Sequence, residues 1–231
     1  YSVEQLKSCL FLLLLRLRQS SLLIILLLRR RRTKKICCSN NNNQTGMADA
    51  AFNGAGQSPG LEGWRIENMQ PVKLEKVDGT FFSGDSYIIL STSGDGARKQ
   101  WNLHFWLGKD TSQDEAGVAA YKAVELDQAL GDAPVQCRVA EGHEPSHFKQ
   151  LWHGNMVVHD GNWADRAARE GAAALYQVKG TTQTNAAARQ VPATAASLNS
   201  GDCFVLVGAG GAAATVWEGR GASQEEKACA A

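Results

Sequence analysis

The chain has 231 residues, 44% of them hydrophobic, enough for one or two ordinary domains with cores of their own. Its formal net charge of +1 hides a split: residues 1–46 carry nine Lys/Arg and one acid, Glu4, whereas the remainder carries fifteen Lys/Arg against twenty-two Asp/Glu. An acidic globular part argues against nucleic acid as the main partner and suits metal cations and basic surfaces.

The first 46 residues hold two apolar runs, 10–15 and 22–28, split by Arg16 and Arg18 and followed by Arg29, Arg30, Arg31 and Arg32. Neither approaches the roughly 20 residues of a membrane span, so none is expected. The basic cluster follows the apolar stretch, whereas a secretory signal carries it ahead. The segment reads as translated leader, with a transit peptide as the alternative, and Met47-Ala48-Asp49-Ala50 reads as the natural start. Residues 48–60 are rich in Gly, Ala, Ser and Pro, which predicts a flexible lead-in, so that 1–60 falls outside the folded part. The six cysteines (Cys9, Cys37, Cys38, Cys137, Cys203, Cys229) form no pair of C-x-x-C units, which predicts free thiols in a reducing compartment.

From Leu61 onward the informative feature is an internal repeat. Phe81-Phe82-Ser83-Gly84-Asp85-Ser86-Tyr87-Ile88-Ile89-Leu90 returns as Leu198-Asn199-Ser200-Gly201-Asp202-Cys203-Phe204-Val205-Leu206. Trp106 stands nine residues before Glu115, and Trp217 stands nine before Glu226. Between Gly-Asp and Trp the copies differ in length, around Ser93-Gly94-Asp95-Gly96 and Gly208-Ala209-Gly210-Gly211, where a hairpin loop belongs. Loop length can change at little cost. The unit is therefore strand, hairpin, strand, turn, helix.

The first helix is predicted to start at Ser112, whose spacing to Glu115 is that of a capping box, and to stop at Gly131. Ala119, Ala123, Leu126 and Leu130 share one face, with Tyr121, Glu125 and Gln128 opposite. Small alanines let a helix lie close to a sheet, so the pattern predicts an α+β fold with a helix on a mostly antiparallel sheet. Trp106, Trp217 and Phe204 are expected in the core.

Phe82-x-Gly84-Asp85-x-Tyr87-Ile88, His104-Phe105-Trp106-Leu107-Gly108-Lys109, Ser112-Gln113-Asp114-Glu115, Val124-Glu125-Leu126-Asp127 and Pro134-Val135-Gln136-Cys137-Arg138 together resemble the gelsolin/villin repeat, shared by severin and fragmin. The resemblance resumes at Leu175-Tyr176-Gln177-Val178-Lys179-Gly180 and continues to Ala231. It implies a first repeat over 61–163, a linker over 164–174, and a second repeat over 175–231 cut off partway. Without its long helix the second repeat is expected to leave an apolar face open, including Phe204, Leu206 and Trp217.

The resemblance implies a cytoplasmic protein that binds actin monomers and filaments and severs, caps or bundles filaments under Ca2+ control. Calcium takes six to eight oxygen ligands, and a Gly-Asp strand end with a helix-start glutamate supplies carboxylates and a carbonyl. By resemblance, the first repeat holds calcium with the Gly84 carbonyl, Asp85, Glu115 and a main-chain carbonyl near Trp163; Gly201, Asp202 and Glu226 match in the second. Another calcium position, at the actin contact, takes Asp127 and carbonyls near Asp132 and Pro134, with Asp132 where the family often has glycine. Tyr121, Glu125, Asp127 and Gln128 are the expected actin-facing residues. Over residues 149–160, the counterpart of the family's phosphoinositide-binding stretch, Lys149 is the sole Lys or Arg, which speaks against lipid regulation there. The disulfide of secreted relatives would need a cysteine at Glu218 to join Cys203. A calcium-independent scaffold is the competing reading, disfavoured by ligand sets in both copies. No nucleophile–base–acid constellation or phosphate-cradling glycine loop stands out, so no active site is predicted.

Overall fold

The computed structural model describes residues 48–231, apart from Ala212; the readings of residues 1–47 lie outside the described residues. The strands are β1 (Gly60–Glu67), β2 (Gln70–Lys73), β3 (Thr80–Phe82), β4 (Ser86–Ser93), β5 (Gln100–Leu107) and β6 (Val135–Ala140). They continue as β7 (Met156–His159), β8 (Ala174–Lys179), β9 (Ala187–Val191), β10 (Cys203–Val207) and β11 (Ala214–Glu218). The helices are α1 (Gln113–Ala129), α2 (Ser146–Gln150), α3 (Arg166–Arg169) and α4 (Gln224–Ala230).

One sheet runs β2-β1-β4-β5-β6, antiparallel except where β6 joins β5. The β1–β2 hairpin turns on Asn68 and Met69, both with positive φ, as a tight two-residue connection demands. β4 reads Ser-Tyr-Ile-Ile-Leu without polar alternation because both of its faces are covered, and these five residues are all buried. Ile88 and Leu90 face α1 with Trp64, Leu103, Ala119, Ala123 and Leu126. Tyr87 and Ile89 face the other way, into a cluster with Phe81, Trp106, Phe148, Trp152 and Val158.

The helix α1 follows its sequence signals closely. Ser112 caps it by accepting the Glu115 backbone N–H, and Asp114 and Glu115 sit in the first turn where the helix dipole favours negative charge. It ends in a Schellman arrangement: the N–H of Gly131 donates to the carbonyl of Gln128, and that of Asp132 to Asp127. Gly131 and Asp132 both have positive φ. Asp132 thus stands at a position whose backbone favours glycine, and aspartate is among the few side chains that tolerate it.

The second sheet runs β11-β10-β8-β9-β7-β3, with parallel pairs β3–β7 and β7–β9 and antiparallel pairs elsewhere. β3 and β7 lie within the expected first repeat, so one sheet draws strands from both copies. A buried charge cluster reinforces the junction: Arg189 on β9 reaches Glu141 (3.3 Å) and Glu144 (3.2 Å), whose side chains are 2% and 6% exposed.

Three expectations are corrected. Residues 48–60 are not a flexible lead-in: Phe52 and Ala55 are buried, Phe52 packs edge-on against Trp64 at 5.2 Å, and the Trp64 indole N–H donates to the Ala51 carbonyl. Trp217 is not core; it lies 51% exposed on the edge strand β11. Phe204 is not part of an open face but fully buried, while Leu206 and Trp217 are exposed as expected. The short helix α4 packs over the opposite face of β10, where Cys203, Val178 and Ala230 form a small core. Among the described residues no helix is long and apolar enough to cross a membrane.

Candidate functional site

Gly84 and Asp85 form the turn between β3 and β4, pressed against residues 161–163. The Gly84 N–H donates to the Gly161 carbonyl (2.9 Å), and the Gly161 N–H donates to Ser83 Oγ (3.0 Å). A Cβ on Gly84 would displace the Asn162 side chain and crowd the Gly161 backbone, so the turn favours glycine.

Asp85 is buried, and its Oδ2 accepts the Trp163 backbone N–H (2.9 Å) and the Tyr87 hydroxyl (3.3 Å). Burial pushes the Asp85 carboxyl above the usual carboxylate range. The Trp163 N–H and the Arg65 charge work against that rise, and the negative charge of Glu115 adds to it. Glu115 approaches from the start of α1, half-buried, with its Oε2 near the hydroxyls of Ser112 (3.2 Å) and Thr111 (3.5 Å). Strand start and helix start thus bring two carboxylates within each other's field. Among the described residues no three His, Cys, Asp or Glu side chains group as metal ligands. A hard cation here would need main-chain oxygens as well, which is ordinary for calcium.

Trp163 lies beside this pair. It turns its N–H toward Asp85, while its carbonyl accepts Arg166 Nη1 (3.1 Å). Both Arg65 and Arg166 stack on its ring, at 5.0 and 3.8 Å from the centroid.

The second copy has the same skeleton and different chemistry. Asn199 Oδ1 accepts the N–H groups of Gly201 and Asp202. Asp202 Oδ2 accepts from Gln177 (2.5 Å) and Asn199 (2.8 Å) and pairs with Lys179 (3.3 Å). Burial acts to raise this carboxyl, but those hydrogen bonds and the Lys179 charge outweigh it and hold it below the usual range. Glu226 completes a full capping box with Ser223, its Oε2 accepting the Ser223 N–H, and its Oε1 accepts the Gly180 N–H at 3.3 Å. Cys203 lies opposite Glu218 in the β10–β11 register, so no disulfide can form between them.

On α1, Tyr121 (67%) and Val124 (44%) are exposed, as is Gln128, forming one outward row at spacings of three and four. Val135, 66% exposed at the start of β6, adds an apolar side chain beyond the end of the helix. Glu125 is half-buried and already engaged, by the Asp49 N–H (2.6 Å) and Lys122 (3.0 Å). Asp127 Oδ2 accepts from Gln136 Nε2 at 2.8 Å. At the helix end the Asp132 N–H donates to the Asp127 carbonyl (2.9 Å); this is a separate place from Asp85 and Glu115 at the helix start.

Sequence reasoning missed Asp49, Lys122, Arg65, Arg166, Gln177, Lys179 and Asn199. Asn199 carried a signal, as a turn former three residues before Asp202. Arg166 and Lys122 each stand three residues from a partner, Trp163 and Glu125, a spacing that brings helix neighbours together; the others act across distant segments and left none.

The sequence matches the family described as gelsolin repeat over residues 67–149 and 184–231. The chain is 43% identical over 183 residues to actin depolymerising venom protein gelsolin 1 of Platymeris rhadamanthus, covering 75% of this chain and 48% of that protein. It is 46% identical over 162 residues to cytoplasmic gelsolin of Homarus americanus (68% and 21%), and 43% over 168 residues to villin-2 of Arabidopsis thaliana (70% and 17%). The chain belongs to the gelsolin repeat family, and its α+β fold is the one the repeat pattern implied. It spans about half the length of these relatives, or less.

Proposed function

We propose that this chain is a calcium-regulated actin-binding unit of a cytoplasmic protein that severs, caps or bundles filaments. Its two repeats are read as 61–163, with residues 48–60 packed ahead of the first, and 175–231, joined through 164–174. The observation that carries actin binding is the outward row Tyr121, Val124 and Gln128 on α1, a helix whose other face is fully committed to its own sheet. An amphipathic helix with a second, exposed apolar row fits a hydrophobic cleft on a partner. The names of the relatives, one of them actin depolymerising, support actin as that partner.

Tyr121→Ala is expected to weaken actin binding by about 2 kcal/mol, roughly 30-fold, because aromatic anchors carry a disproportionate share of interface energy. Its exposure predicts an unchanged melting temperature. Actin co-sedimentation with and without calcium measures the binding and a thermal melt measures the stability, and equal binding by parent and variant would remove α1 from the interface.

For calcium, the reading assigns Asp85, Glu115, the Gly84 carbonyl and a main-chain carbonyl near Trp163 in the first repeat, and Asp127 with the carbonyls near Asp132 and Pro134 at the actin contact. The mutually repelling pair of buried Asp85 and half-buried Glu115 suits a cation. The second repeat's Gly201, Asp202 and Glu226 are assigned a weaker site, since Lys179 already supplies a positive charge to Asp202. Lys179→Met is therefore expected to raise calcium affinity there a few-fold. Calorimetry on an Asp85→Asn background isolates that site, and a fall in affinity would refute the competition.

A further inference from the structure

Residues 48–59 form an arm that runs ahead of β1 and is fastened along its length. Phe52 is buried against Trp64, and the indole N–H groups of Trp64 and Trp101 donate to the carbonyls of Ala51 (2.8 Å) and Gly56 (3.0 Å). The Gly56 N–H donates to Glu62 Oε2 at 2.6 Å. Beyond the apolar packing of Phe52 and Ala55, the start of the arm is tied to α1 by polar contacts of Asp49. Its N–H donates to Glu125 Oε1 (2.6 Å), its Oδ2 accepts from Lys122 Nζ (2.8 Å), and its Oδ1 accepts the Ala51 N–H (3.0 Å). Lys122 also pairs with Glu125 Oε2 at 3.0 Å. The three side chains are only 14–18% exposed, whereas most other ion pairs of the described residues include a partner at least a third exposed.

Lys122 and Glu125 are the charged neighbours of Tyr121, Val124 and Gln128. Left to themselves, two long charged side chains beside an apolar row would sample many rotamers and would have to be ordered and stripped of water when a partner docks. Held by Asp49, they are ordered before any partner arrives. The hydrogen bond from Lys122, the Ala51 N–H and the Lys122 charge pull the Asp49 carboxyl below its ordinary range, so the clamp stays ionised further into acid than a free aspartate would.

We propose that Asp49 is a positioning residue for the α1 docking face, clamping Lys122 and Glu125 so that Tyr121, Val124 and Gln128 form the prominent row offered to actin. This rests on the reading of α1 as the actin-binding helix. The arm is then part of the interface machinery as well as of the fold.

The test titrates the full chain against actin monomer and reads affinity alongside the melting temperature. Asp49→Ala is expected to lower affinity about fivefold with little change in melting temperature, the size of a partly shielded ion-pair effect. Asp49→Asn keeps the Ala51 cap and the backbone N–H to Glu125 while losing the charge, and should fall between parent and Asp49→Ala. In a Lys122→Met background Asp49→Ala should cost much less, because the two act as one unit. Parental affinity in both Asp49 variants, or an undiminished loss in the Lys122→Met background, would overturn the proposal. Tyr121→Ala separates the two levels: if it weakens binding and the Asp49 variants do not, only the clamp fails. If Tyr121→Ala also binds as the parent does, the docking face itself is wrong and the clamp falls with it.

Discussion

Replacing Phe81 with alanine is expected to cost about 3–5 kcal/mol of stability, the range for truncating a buried aromatic side chain. For a unit of this size that is a drop of about 10 °C in melting temperature. Phe81 sits on β3, in the second sheet, yet its ring packs among residues of the first: Tyr87 and Trp106 at centroid distances of 5.1 and 4.8 Å. Phe148 of α2 and Trp152 complete the ring of neighbours at 5.9 and 5.3 Å. Relaxation into the vacated space is restricted, because Tyr87 is tied by its hydroxyl to Asp85 and the Phe82 N–H, and Trp106 by its indole to Glu144. A cavity that cannot collapse costs the full packing loss in addition to the transfer term. Thermal denaturation measures the effect, and a loss below about 1 kcal/mol would show that the cluster repacks after all.

What the sequence made legible was local. Ser112, Glu115 and Gly131 bound α1 because capping and termination are settled within a few residues of chain, and Ala119, Ala123 and Leu126 are buried because a helix has one period. The run Tyr87 to Leu90 announced a strand covered on both sides. Pairings between copies were not legible: nothing in Phe81 or Val157 says that β3 and β7 align in parallel with the sheet of the second repeat. Composition misled at residues 48–60, where Gly, Ala and Pro spoke for flexibility and the anchoring falls to Phe52 and to backbone carbonyls that meet distant tryptophans. Trp217 misled in the opposite direction. Its place in the repeat matches that of the buried Trp106, but Trp106 lies under α2 and β3 whereas Trp217 sits on an uncovered edge. For the candidate site, the repeat identified the carboxylates but not the counter-charges. Arg65 and Lys179 occupy unlike positions in the two copies, so self-similarity could not reveal them.

That difference in counter-charge decides what Glu115→Gln should do. In the first repeat Asp85 and Glu115 share one region, burial already disfavours the Asp85 carboxylate, and the Glu115 charge makes it worse. Removing that charge leaves the metal-free protein no less stable, since Gln keeps the side-chain length and the Ser112 cap uses the backbone N–H of position 115. Calcium, by contrast, loses one of two carboxylates, and affinity in such sites follows ligand charge count. The expected result is a fall in calcium affinity on the order of 100-fold with the metal-free melting temperature held or slightly raised. The matching change in the second repeat, Glu226→Gln, should look different. Glu226 supplies both halves of its capping box together with Ser223 and accepts the Gly180 N–H, so its loss should lower stability by about 0.5–2 kcal/mol while moving total calcium binding little. Isothermal calorimetry with paired thermal melts reads both properties in both variants. Equal calcium affinity in Glu115→Gln and the parent would place the first-repeat site elsewhere. The reverse pattern, with calcium lost in Glu226→Gln and kept in Glu115→Gln, would show that the lysine beside Asp202 aids the second site instead of competing with its ion.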